Sequence, residues 1–133
     1  MRLLVDTSVW SLALRRDGSP DLPEVRLLLR ALDGESELYT TGLVLQELLQ
    51  GFSGPAARES IVARFASLPL IVPTLEDHVE AAALRNVCRR RGVQVGTIDA
   101  LIARLSVRFG LALLTTDRDF RHMSKHVRLE LAT

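Results

Sequence analysis

Leu3-Leu4-Val5-Asp6-Thr7-Ser8 and Leu111-Ala112-Leu113-Leu114-Thr115-Thr116-Asp117 decide how this chain is read. Each is an unbroken apolar run that leads into an acid. A run without polar alternation is the pattern of a strand covered on both faces, as in a parallel sheet; a half-exposed strand alternates. In open α/β sheets, ligands gather beyond the carboxyl ends of the strands. If these two strands are neighbours, the carboxylates of Asp6 and Asp117 converge where a site is expected.

Between these anchors, helical and strand patterns alternate. A helix is expected from Val9 to about Arg15, capped by Thr7 or Ser8. Asp17-Gly18-Ser19-Pro20 breaks it, and a second helix follows over Leu22 to Leu32, with Pro23 tolerated in its first turn. Leu38-Tyr39-Thr40 reads as a strand, Leu43 to Gln50 and Ala56 to Ala66 as helices, and Leu70-Ile71-Val72 as a strand between two prolines. A long helix spans about Leu75 to Arg91. Thr97 then caps another, with an apolar stripe of Ile98, Leu101, Ile102, Leu105 and Phe109. Arg118 to Ser124 is a short helix, and Val127 to Leu131 a last strand. The alternation indicates an α/β fold: a central, mainly parallel sheet of about four or five strands flanked by helices.

At 133 residues the chain suits one domain, 1–133, large enough to bury a core. Apolar residues make up 47% and aromatics only 5%, so that core is built from Leu, Val, Ile and Ala. With 17 basic and 16 acidic side chains the net charge is +1, too small for a broad electrostatic grip on nucleic acid, though not for an acidic pocket with a basic rim. Every basic residue except Lys125 is arginine, which can grip phosphate with a bidentate fork. The single cysteine, Cys88, allows no intrachain disulfide. With no apolar run near the ~20 residues of a membrane span and no signal-peptide pattern at residues 1–6, a cytoplasmic protein is expected.

Two further acids belong with Asp6 and Asp117. Asp99 opens the helix after Thr97, and Glu47 lies on the helix of Leu43 to Gln50. Each has an ordinary structural reading. Asp6 and Asp117 can cap helices, Asp99 can complement a helix dipole, and Glu47 shares a face with Gln46 and Gln50. His78, His122 and His126 form no zinc set, and no histidine lies in an acidic segment, which argues against histidine acid–base chemistry.

Taken in order, Asp6-Thr7-Ser8-Val9-Trp10, Glu47, Thr97-Ile98-Asp99-Ala100-Leu101-Ile102-Ala103 and Thr115-Thr116-Asp117-Arg118-Asp119-Phe120 resemble the acidic motifs of PIN domains. They resemble more closely those of VapC-type toxins from bacterial and archaeal toxin–antitoxin pairs. The resemblance runs from Asp6 to Phe120. Each motif is weak alone; four in order within so short a chain are specific. One departure is Arg104, where the family often has a small residue.

The resemblance implies an endoribonuclease dependent on Mg2+, with Mn2+ as a substitute. Asp6, Asp99 and Asp117 would bind the metal, and Glu47 would ligate through water or orient the attacking water. Ser8, Thr116 and Asp119 would support them, while Arg118, Arg121 and Lys125 would rim the pocket and hold RNA phosphates. The resemblance also implies a cognate antitoxin held by the early helices, and a homodimer. Hard oxygen ligands suit magnesium. Without a cation, two carboxylates ~4 Å apart repel by about 4 kcal/mol at an effective dielectric of 20.

Rival readings share the α/β pattern. A receiver-like phosphoacceptor domain needs a mid-chain strand ending in Asp, but Leu70-Ile71-Val72 runs into Pro73-Thr74. A haloacid-dehalogenase-type phosphatase needs a second Asp two residues after Asp6, where Ser8 stands. A catalytically silent PIN binding module is the third.

Overall fold

A computed structural model describes residues 1–133. Strand β1 (Arg2–Val5) leads into α1 (Thr7–Ala13), and α2 (Pro23–Arg30) follows a turn. Next come β2 (Glu37–Thr41), α3 (Gly42–Gly51), α4 (Pro55–Ala66), β3 (Leu70–Ile71) and α5 (Leu75–Arg90). The chain closes with α6 (Thr97–Phe109), β4 (Ala112–Leu114) and α7 (Arg118–Ser124).

The sheet has four strands in the order β3-β2-β1-β4, every pairing parallel. Strands β1 and β4 are covered on both faces, which explains their unalternating sequences. Leu3, Leu4 and Val5 of β1 are fully buried, as are Leu113 and Leu114 of β4. They pack into one core with Val9, Trp10, Leu28, Val44, Leu48, Ile102, Leu105, Phe120 and Met123. Each such side chain contributes about 1.5–3 kcal/mol by leaving water. Trp10 of α1 meets Phe65 of α4 with ring centroids 4.9 Å apart, a tilted pair that ties the first helix to the fourth.

The register puts the two acid-bearing strand ends side by side. Val5 pairs with Leu114, and the Asp6 amide donates to the Leu114 carbonyl at 2.9 Å. The same order disposes of the receiver reading. A flavodoxin-like receiver sheet runs 2-1-3-4-5, with the third strand beside the first; here β4 takes that place and β3 is at the edge.

Several local expectations are corrected. The fifth strand over Val127–Leu131 reduces to one parallel bridge between Leu131 and Leu113. The Leu129 amide turns back onto the Val127 carbonyl at 2.8 Å, which interrupts an extended run. The second helix does not run regularly to Leu32. It widens over Ala31–Glu35 and ends at Gly34, whose φ of 97° only glycine adopts freely. The starts of α1 and α6 are not capped by hydroxyls: the capping positions are Asp6 and Gly96, and Thr7, Ser8 and Thr97 lie within or at the edge of the helices. Ile98, expected on the apolar stripe of α6, is exposed.

Helices α5 and α6 are locked by a buried ion cluster. Asp77 is 0% exposed and closes a reciprocal capping box with Thr74 at the start of α5. Across the interface Arg104 Nε donates to its Oδ1 at 3.1 Å and Arg108 Nη1 to its Oδ2 at 2.6 Å. Burial alone would raise the Asp77 carboxyl, but the Thr74 amide, Arg104, the Thr74 hydroxyl and Arg108 together hold it below the usual range. Arg104, the departure noted in the sequence, is thus occupied in fixing α6 against α5.

Candidate metal centre

The carboxyl ends of β1 and β4 frame the site. Asp6 follows β1 directly and is only 6% exposed. Its Oδ2 accepts from Ser8 Oγ at 2.8 Å and from Thr115 Oγ1 at 2.9 Å, which leaves Oδ1 for a further ligand. The same two hydroxyls organise the end of β4. The Thr116 amide donates to Ser8 Oγ at 3.1 Å and the Asp117 amide to Thr115 Oγ1 at 3.0 Å. A single web therefore sets the position of both acids.

Asp117 is the capping residue of α7, and its Oδ1 accepts from the Asp119 amide at 2.9 Å. Capping engages Oδ1 alone and leaves the other carboxylate oxygen free for a ligand. Glu47 on α3 is half-buried and receives a 2.7 Å hydrogen bond from Thr7 Oγ1, so it is not a freely solvated helix acid. Asp99 lies in the first turn of α6, after Gly96, where a Cβ would sit 3.7 Å from Asp99 Oδ2.

Asp99, Asp117 and Asp119 each offer an oxygen within 4.8 Å of the others. Ligands on opposite sides of one magnesium lie about 4.2 Å apart; the trio therefore needs only small side-chain rotations to share an ion. Asp6 and Glu47 stand outside this closest trio but within electrostatic reach. Desolvation, then the charges of Asp6, Asp117, Glu47 and Asp119, push the Asp99 carboxyl up to about 6. Five hard-oxygen donors whose charges oppose one another are a donor set that fits a divalent cation.

Sequence reasoning singled out Asp6, Glu47, Asp99 and Asp117, and the structure brings them to one end of the sheet. Asp119, given a supporting role, lies in the closest trio. Ser8 supports Asp6 by its hydroxyl, whereas Thr116 enters the web through its main-chain amide. Two contributors were missed: Thr115, which reads as strand, and Thr7, which reads as a helix cap. The signal available for both was the run of hydroxyl residues beside each acid. Arg118, Arg121 and Lys125 line a depression of about 380 Å³ with His122, Ser124 and Leu131.

A family profile described as the PIN domain matches residues 3–126. The chain is also similar to several solved structures. VapBC2 from Rickettsia felis, bound to a DNA fragment from its promoter, is 23% identical with a TM-score of 0.76, over 98% of this chain and 97% of that one. VapBC-1 from nontypeable Haemophilus influenzae is 15% identical with a TM-score of 0.74, over 98% and 96%. VapC20 of Mycobacterium tuberculosis, described as a sarcin–ricin loop cleaving toxin, is 19% identical with a TM-score of 0.69, over 96% and 98%. At these identities the structural likeness speaks for the fold.

Proposed function

Because the chain belongs to the PIN-domain family, and its acids meet at the end of a parallel sheet, we propose that it is a magnesium-dependent endoribonuclease, the toxin of a VapBC-type pair. One observation carries the reading. Asp99 is opposed by four other acids and held near a pKa of 6, a costly arrangement that a divalent ion relieves.

Asp6, Asp99 and Asp117 would hold the ion, with Asp119 as a further ligand. When bound, a divalent ion supplies an acidified water and neutralises charge on the phosphate. The chain's own residues do the rest. Ser8 and Thr115 fix the Asp6 carboxylate, and rigid outer partners of this kind are worth about 10–100-fold in metal affinity or activity. Thr7 holds one oxygen of Glu47, so that the other can orient the attacking water. Arg118, Arg121 and Lys125 offer cations to the phosphates on either side of the scissile bond. Mn2+, also served by carboxylate oxygens, substitutes.

Two partners besides RNA belong to this reading, and exposed apolar surface supports them. Leu22 and Leu29 on and beside α2 remain exposed and offer an antitoxin segment a place beside the early helices. Val72, Leu75 and Val79, 71%, 81% and 58% exposed, mark a different face at the start of α5, suited to a second copy of the chain. No helix is long and apolar enough to cross a membrane.

Induced expression in bacterial cells tests the toxin role. Growth arrest with discrete new RNA ends is expected from the wild type, and neither from Asp6→Asn. Co-expression of a cognate antitoxin should restore growth, and the two should co-purify as a complex. Unimpaired growth and unchanged RNA at full expression of folded wild type would overturn the proposal.

A further inference from the structure

The acidic cluster borders a second basic depression, on an element that none of the motifs includes. It measures about 390 Å³ and is lined by Arg85 and Arg89 of α5, by Gln94, Val95 and Gly96 of the loop before α6, and by Asp119. Asp119 is thus common to this depression and to the carboxylate trio. Arg85 and Arg89 are four residues apart on one helix and face the same side.

What marks them is their place beside the carboxylate trio, free of the acid partners that engage six other arginines. Arg104 and Arg108 are spent on Asp77, and Arg2, Arg15, Arg26 and Arg30 pair with surface acids. Neither Arg85 nor Arg89 pairs with a carboxylate. The Arg85 Nε donates to the Val95 carbonyl at 2.7 Å, which pins the guanidinium at the wall of the depression and leaves its terminal nitrogens unclaimed. Arg89 makes only a long 3.4 Å contact with Asn86. The floor is the start of α6, where no side chain caps the helix and Gly96 keeps the backbone accessible. Two guanidiniums without a carboxylate partner thus line a depression that Asp119 closes on the side of the acidic cluster, an arrangement suited to one phosphate held beside a cation at the carboxylates.

We infer that Arg85 and Arg89 bind a backbone phosphate of the RNA strand immediately next to the scissile position. The strand then crosses the carboxylate cluster toward Arg118, Arg121 and Lys125. This rests on the nuclease reading and adds to it a path: the substrate is gripped from α5 as well as from α7. A partner's acid would offer a single anion here, whereas a phosphodiester strand repeats its charge and can engage these guanidiniums and those of Arg118 and Arg121 at once.

The test uses full-length protein carrying Asp6→Asn, so that RNA is bound without being cut. Binding of a fluorescently labelled single-stranded RNA is followed by anisotropy in magnesium over a series of salt concentrations. Adding Arg89→Ala should weaken binding about tenfold and lower the slope of log K against log[salt] by about 0.7, one single-strand phosphate contact. Arg85→Lys, which keeps the charge and loses the fork, should weaken binding without changing the slope. Arg30→Ala, which removes an equal charge at the end of α2, should do neither. In an otherwise wild-type protein, Arg89→Ala should raise KM for cleavage far more than it lowers kcat. Equal effects from Arg89→Ala and Arg30→Ala, or none from either, would overturn the inference while wild-type cleavage stood. Absence of RNA binding and cleavage in wild type itself would instead bring down the nuclease reading, and this inference with it.

Discussion

The Thr115 hydroxyl stands 2.9 Å from Asp6 Oδ2, joining residues 109 apart in sequence at the ends of two neighbouring strands. The same oxygen receives the Asp117 amide at 3.0 Å. One side chain therefore orients one proposed ligand directly and another through the backbone. Thr115→Val keeps the shape and removes these bonds. It should lower metal affinity or cleavage by about 10–100-fold. Stability should fall by only about 1–3 kcal/mol, the cost of leaving buried partners unsatisfied. Metal titration followed by fluorescence or calorimetry, beside a denaturant melt, separates the two effects.

The pKa of Asp99 makes the metal-free protein sensitive to pH. Its folded value, about 6, lies above the ordinary 3.8, so the folded state holds this proton more tightly than the unfolded chain does. Stability must then fall as pH rises between those values, with the full penalty present above pH 6. Asp77, held low, acts only at more acidic pH and does not oppose the trend. In EDTA, wild type should melt at a lower temperature at pH 7 than at pH 5, and Asp99→Asn should flatten that difference. Parallel profiles for the two proteins would contradict the assignment.

Magnesium should reverse the penalty. A ligand bound only by the folded state at ~100 times its Kd adds about 2.7 kcal/mol, several degrees of melting temperature for a domain of this size. Thermal scans with and without magnesium should show that gain in wild type and a smaller one in Asp99→Asn.

Asp77 should matter for stability alone. Removing one partner of a buried charge cluster costs about 3–5 kcal/mol where both sides are buried. Arg104 and Arg108 keep some solvent contact, with side chains 22% and 37% exposed, so Asp77→Ala should cost nearer the lower figure. Urea melts should show this loss, while magnesium affinity per folded molecule stays close to wild type.

The parts of this account legible in the sequence are those set by strong local chemistry. Leu3-Leu4-Val5 and Leu113-Leu114 announce buried parallel strands because a half-exposed strand would alternate. Gly110 ends α6 with φ 62°, as a glycine after an apolar stripe should. Asp6, Asp99 and Asp117 stand out because each follows or opens an element, whereas Glu47, in the middle of α3, stands out only by its order among the family's motifs.

What was not legible depends on neighbours distant in the chain. Thr7, Ser8 and Thr97 sit at helix starts, and hydroxyls there commonly cap. Thr7 and Ser8 instead serve Glu47 and Asp6, a choice made only when α3 and β4 arrive. Thr115 looks like any β-branched strand residue until β4 lies beside β1. Ile98 fits the stripe of α6 by spacing, yet it lines an open depression with Ala81, Ala82 and Arg85 of α5 and stays exposed. Val127–Leu131 has strand composition, but the sheet pairs with it at one residue only.

Cleavage by the purified protein is the most direct test of the central claim. A mixed pool of structured RNA is incubated with folded, antitoxin-free protein in magnesium, in manganese and in EDTA, beside Asp6→Asn and Asp99→Asn. The account predicts discrete cuts with either metal, none in EDTA, and a loss of more than about a hundredfold in each variant, beyond what an outer partner alone would cause. Cleavage that persists in EDTA, or that survives Asp99→Asn undiminished, would contradict a carboxylate-held metal as the seat of the reaction.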